Sequence, residues 1–183
     1  MAWIKKKTLL LLVFTLYVFQ NQAMAQTDSI HDQKVKACKE YMEWSMKNQG
    51  YDWSTAKLTP EAIVTACEEN NFDIAFTMAI ANLESCFGQT SRAKKTNSVF
   101  SVGLYDNGKN KCKYQTQDDS IVPFIELIKN DYLLNGEKTI SDLLKPNGFV
   151  NASGFRYAKD TKYEMDVKTI MNRIVKMHRI LGN

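Results

Sequence analysis

Glu84 is the residue whose type and position could do chemistry. It closes the run Ile74-Ala75-Phe76-Thr77-Met78-Ala79-Ile80-Ala81-Asn82-Leu83-Glu84-Ser85, which is apolar on nearly every face. Such a helix is buried, so Glu84 falls in the last turn of a core helix that begins at Phe72 or Asp73. A carboxyl group among apolar neighbours is favoured in its neutral form. A neutral carboxylic acid can donate its proton to a glycosidic oxygen. On periodicity alone the plainer reading has the edge: a solvated glutamate at a helix end. Asp106 stands in Asp106-Asn107-Gly108, a turn sequence. Asp118 and Asp119 precede an apolar stretch and suit helix capping.

The elements that must position these residues are mostly helical. Val35, Cys38, Tyr41, Met42 and Trp44 share one face of a helix predicted over 33–48, which Gly50 ends. Thr59-Pro60-Glu61 opens the next, with Thr59 as cap and Pro60 in the first turn. That helix runs to about Asn70, and Gly88 stops the core helix by allowing a left-handed backbone. Residues 96–115 differ. Val99, Phe100, Val102 and Tyr105 precede the turn and Lys111 to Gln115 follow it, which predicts a small β-hairpin. Thr116-x-x-Asp119 caps a helix with Ile121, Phe124, Ile125, Ile128 and Tyr132 inside. Pro123 delays its start or kinks it. Residues 147–154 read as loop. Thr161-x-x-Glu164 reads as a capping box for a last helix bearing Tyr163, Val167, Ile170, Ile174, Met177 and Leu181. The expected fold class is α+β, predominantly α.

The first 25 residues read as a secretory leader. Lys5, Lys6 and Lys7 precede an apolar run from Leu9 to Phe19, and Ala23-Met24-Ala25 is a small-x-small cleavage pattern. The run has about 11 residues where a spanning helix needs ~20, so no stable membrane anchor is expected after cleavage near Ala25. The net charge of the whole chain is +4. Three positive charges belong to the leader, so the remainder is nearly neutral and unsuited to nucleic acid. No metal or phosphate-loop spacing occurs. Residues 26–183 suit a single domain with a real core, with a leader segment and helix over 26–58 and the main part over 59–183. Cys38, Cys67, Cys86 and Cys112 form an even count, which in an exported chain favours disulfides. Four cysteines allow three pairings.

Four stretches, in order, resemble the bacterial endo-β-N-acetylglucosaminidase family (glycoside hydrolase family 73). Ala79 to Gly88, AIANLESCFG, is similar to the family's A-x-x-x-L-E-S-x-W/F-G. Ala93 to Gly103, AKKTNSVFSVG, is similar to A-K-x-x-N-N-L-F-G-I-K/G. Asp119-Ser120-Ile121 is similar to E-S-I, and Arg156 to Tyr163, RYAKDTKY, to x-Y-A-S/T-D-P-x-Y/W. Ser101 stands where the family usually has glycine, Ser98 replaces a second asparagine and Thr161 replaces proline. The resemblance spans Thr59 to about Ile174 and leaves residues 26–58 uncovered.

The resemblance implies a lysozyme-like helical domain with the hairpin as a lobe beside the cleft. It implies a secreted or periplasmic peptidoglycan hydrolase that cleaves the β-1,4 bond after N-acetylglucosamine, with Glu84 as general acid. Tyr157 would position substrate or stabilise the developing oxocarbenium ion. Asp106 is the first candidate for the second catalytic group, ahead of Asp118 and Asp119; the substrate's own N-acetyl group is the alternative. Asn97, Phe100, Ser101 and Tyr163 are the candidate substrate-binding residues, although Phe100 and Tyr163 also suit a core. A Cys86–Cys112 bridge would close a loop of roughly 26 residues and add ~3 kcal/mol, with Cys38–Cys67 tying the first two helices. No metal or cofactor is needed, and a monomer acting on glycan strands is expected. Two other readings compete: a lytic transglycosylase using the same Glu84, and a non-catalytic module that binds the cell wall or another partner.

Overall fold

A computed structural model describes residues 30–102 and 113–182. The chain divides into two compact units, Met1–Lys34 and Val35–Asn183. Of the first, only residues 30–34 are described, and they are helical. The leader region and Asp106-Asn107-Gly108 lie outside the described residues. No helix among the described residues is long and apolar enough to cross a membrane.

In the second unit, helix α1 (35–48) buries Cys38, Tyr41, Met42, Ser45 and Met46 at helical spacing. Its chain end turns at Gly50, whose φ is +78°, while the Tyr51 N–H donates to the Met46 carbonyl at 2.9 Å. Trp44, expected inside, is 38% exposed. Helix α2 (Pro60–Glu69) starts as its sequence dictates. Thr59 accepts a hydrogen bond from the Ala62 N–H, and Pro60 occupies the first turn, where no intrahelical N–H bond is required.

Helix α3 (Ile74–Ser85) is capped by Asp73, which accepts from the Phe76 N–H at 2.7 Å. Every residue from Ile74 to Asn82 is buried. The helix ends earlier than Gly88 alone would stop it. Cys86 (φ +47°), Phe87 (φ +55°) and Gly88 (φ +84°) are three consecutive left-handed residues. For the two that are not glycine this costs on the order of 1–2 kcal/mol each, and full burial of Phe87 offsets part of it. Gly88 is required twice over, because a Cβ there would also lie 2.2 Å from the Gln117 side chain.

Helix α4 (Ser91–Thr96) follows, capped by Thr90 and ended by left-handed Asn97. Here the expected hairpin is corrected. No β-strand occurs among the described residues; the only extended pairing there is an isolated antiparallel bridge, Val150–Arg156. Val99 and Phe100 are both fully buried, so the segment has two covered sides and no alternation. Left-handed Ser101 (φ +57°) interrupts it. Its backbone groups bond to side chains instead of a ladder. The Val99 carbonyl accepts from Ser85 Oγ, the Val99 N–H donates to Ser120 Oγ, and the Phe100 carbonyl accepts from Tyr157 Oη. The returning residues do approach: the Tyr114 N–H donates to the Thr96 carbonyl at 3.0 Å. The helical part of the expected fold stands; the β-lobe does not.

A 3-10 turn, Asp118–Ser120, leads into α5 (Ile121–Leu127), which passes into a π-turn at Ile128–Tyr132. Thr116 and Asp119 exchange the expected reciprocal bonds. The α-helix itself starts only at Ile121, which puts Pro123 in its first turn, as a delayed start requires. After a short α6 (Ile140–Leu143), a strap over residues 144–162 leads to α7 (Tyr163–Met177). The core joins Phe72, Phe76, Phe100, Phe124 and Phe149, with Phe100 stacked on Phe124 at a centroid distance of 4.2 Å.

Candidate active site

Three elements bring the candidate residues together: the end of α3, the strap, and the start of α7. Glu84 projects from the last turn of α3 and is partly exposed. Its Oε1 accepts a hydrogen bond from Tyr163 Oη at 2.6 Å. Glu84 Oε2 has no such partner among the described residues. Tyr163 is the first residue of α7 and only 6% exposed, so a buried phenol holds one carboxyl oxygen and leaves the other open. Burial first, then the neighbouring Tyr157 and Glu84, push the Tyr163 phenol well above its ordinary pKa. Its proton is therefore present throughout the neutral range.

Tyr157 lies beside this pair, its ring 5.7 Å from that of Tyr163. It stacks on Phe149 at 4.7 Å, and its Oη donates to the Phe100 carbonyl at 2.7 Å. Burial, followed by the charge of Glu84, raises its pKa as well. The two tyrosine hydroxyls have different partners. Tyr163, which also suited the core, touches the acid. Tyr157, expected to serve catalysis, ties the strap to the segment after α4.

Ser85 is the clip behind Glu84. Its Oγ donates to the Val99 carbonyl at 2.8 Å and accepts from the Gly88 N–H at 2.8 Å. One buried hydroxyl thereby joins the helix end, the left-handed turn and the segment 98–102. Gln117 braces the same turn from behind, with Nε2 donating to the Gly88 carbonyl at 2.9 Å.

The strap is fixed to α7 by an ion pair. Arg156 Nη2 donates to both oxygens of Glu164 at 2.8 Å, and Arg156 Nη1 to Asn147 Oδ1 at 2.6 Å. The side chain of Glu164 is 3% exposed. The expected Thr161–Glu164 capping box is therefore not formed: Lys162 precedes α7 with no side-chain cap, and Glu164 is engaged by the arginine. The sequence marked Glu164 only as a capping residue and Arg156 only as the start of a motif stretch, although a glutamate among apolar helix positions was a signal of a buried partner. Phe155, at the strap's tip, is 70% exposed and also went unremarked.

The remaining expected site residues fall elsewhere. Phe100 is fully buried in the aromatic core, and only its carbonyl reaches the site. Asn97 is a clip: its Nδ2 donates to the Tyr114 and Gln115 carbonyls. Ser101 is partly exposed in a left-handed conformation, which gives a physical reason for glycine at this place in the resembled motif. Asp118 accepts from the Thr59 N–H and Oγ1, and Asp119 from the Thr116 N–H; both carboxylates serve as caps. Asp106 and Cys112 lie outside the described residues. Cys38, Cys67 and Cys86 are free buried thiols. Cys38 contacts Met42 and Cys67 donates to Thr77 Oγ1 at 3.3 Å, so the expected Cys38–Cys67 bond is absent. No group of three potential metal ligands occurs among the described residues.

No family model and no curated protein matches the chain.

Proposed function

We propose that the protein hydrolyses the glycan strand of peptidoglycan outside the cytoplasm, at the β-1,4 bond after N-acetylglucosamine, with Glu84 as general acid. One observation carries this reading: a partly exposed carboxyl group at the end of a buried helix is held at one oxygen by the buried Tyr163 hydroxyl. The motif stretches support it: the first contributes Glu84 and Ser85, and the fourth contributes Tyr157 and Tyr163.

In the first half of the reaction Glu84 gives its proton to the glycosidic oxygen as the bond to C1 breaks. The Tyr163 hydroxyl fixes the carboxyl group and stabilises the carboxylate left behind. In the second half water adds its hydroxyl to C1. Its proton goes to a base, with Asp106 as the protein's candidate; alternatively the substrate's acetamido group attacks C1 first.

The test is clearing of purified peptidoglycan suspensions by the wild type and by Glu84→Gln, which keeps the shape and removes the acid. Clearing by the wild type alone, with the variant folded by circular dichroism, is the expected result. Equal clearing by both would remove Glu84 from the mechanism. Products ending in anhydromuramic acid would make the protein a transglycosylase. Pelleting with the wall without clearing would make it a binding module.

A further inference from the structure

A second pocket lies along the seam of α1, α3 and α7, with a volume of about 260 Å³. Its α3 residues are Asn82 and Leu83, the two that precede Glu84 in that helix. Resting on the reading above, we propose that this pocket binds a carboxylate of the peptide stem carried by the glycan strand.

The lining presents one cation, two acceptors and an apolar rim. Arg173 comes from α7, and its guanidinium carbon lies 5.6 Å from the centre of the Trp44 ring. It pairs with no carboxylate among the described residues, and its contact with the ring holds it in place. A guanidinium so held is suited to a carboxylate, which it can take in two parallel hydrogen bonds.

Among the amide groups on the opposite side, Gln49 has spent both of its donors, and Asn48 and Asn82 one of two each. Gln49 Nε2 donates to Asn82 Oδ1 at 2.7 Å and to Ser45 Oγ at 3.2 Å. Asn48 Nδ2 donates to the Trp44 carbonyl, and Asn82 Nδ2 to Tyr41 Oη. The oxygens of Asn48 and Gln49 accept no hydrogen bond among the described residues and are the lining's acceptors, with one N–H of Asn48 beside them. Trp44 and Leu83, 38% and 37% exposed, supply apolar surface at the mouth.

A carboxylate for Arg173, N–H donors for the two amide oxygens, and a short apolar side chain for Trp44 and Leu83 describe a small acylated amino acid. A plain sugar brings the donors but not the anion. A stem peptide bears both, and its attachment to the glycan puts it beside the bond that Glu84 would cleave.

The experiment uses the full chain carrying Glu84→Gln, so that ligand survives, with and without Arg173→Gln. Arg173 and Trp44 are exposed, and circular dichroism checks that each variant is folded. Binding of a disaccharide-tetrapeptide, of chitotetraose and of the free tetrapeptide is followed by calorimetry and by tryptophan fluorescence. Arg173→Gln should weaken the disaccharide-tetrapeptide about tenfold and leave chitotetraose unchanged. Trp44→Leu should abolish the fluorescence response to the peptide-bearing ligand. Equal affinity with and without Arg173, or no binding of the disaccharide-tetrapeptide, would overturn the proposal. So would a free tetrapeptide bound as tightly as the whole ligand, which would point to an acidic segment of another protein. Clearing of the wall together with binding independent of Arg173 would leave the enzymatic reading standing and the pocket without this ligand. Binding dependent on Arg173 with no clearing would do the reverse.

Discussion

At the residue scale the contact that matters is the 2.6 Å hydrogen bond from Tyr163 to Glu84. A hydrogen bond to a charged group contributes about 1.5–3 kcal/mol. Its loss at the stage when Glu84 becomes a carboxylate would slow turnover by roughly 10- to 100-fold. Tyr163→Phe should therefore lower kcat by that factor on soluble glycan and leave KM nearly unchanged, while the ring still fills its place beside Phe149 and Tyr157. An unchanged kcat in a folded variant would confine Tyr163 to packing. Tyr157→Phe should behave differently, because its hydroxyl holds the Phe100 carbonyl instead of the acid.

At the scale of elements, the site depends on the strap staying seated on α7. Arg156 and Glu164 hold it there, with one partner almost wholly buried. Removing one member of a buried pair leaves an uncompensated charge and costs ~3–5 kcal/mol. Arg156→Leu should lower stability to urea by about that amount, read from the unfolding midpoint. A loss below about 1 kcal/mol would mean that Glu164 finds another partner. Some of these elements were legible in the sequence because their signals are local. Thr59-Pro60 marks the start of α2, Thr116 and Asp119 bond to each other three residues apart, and the apolar text of α3 is buried as it reads. The segment after α4 was not legible. Its alternation suggested a strand, but its backbone partners are Ser85, Ser120 and Tyr157, which periodicity does not see. The α7 face placed Tyr163 inside correctly, yet could not show that its hydroxyl meets a carboxylate 79 residues away.

At the scale of the whole molecule, the buried thiols make stability depend on pH. Burial pushes Cys67 up to about 12 and Cys86 up to about 11, and takes Cys38 higher still. In the unfolded chain a thiol releases its proton near 9.0. Above that pH the unfolded state binds fewer protons than the folded one, so stability falls as pH rises. The contribution of these thiols is complete below pH 9 and is lost on the way to about 12. Urea midpoints should hold between pH 7 and 8.5 and decline from pH 9 to 10.5, and Cys67→Val should flatten part of that decline. A decline of the same size in this variant would assign it to other groups, the buried tyrosines among them.

The pairing of Glu84 with Tyr163 also has a meaning for biosynthesis. A ribosome adds the acid long before it adds the phenol that holds it, and the strap that seats α7 is made last but one. A nascent or truncated chain ending anywhere between the two residues carries the acid without its clamp. Under the reading proposed here, such a chain is a poor catalyst whatever else has folded. Under that reading the cell that makes this protein would be exposed to its full activity only after synthesis has passed into α7.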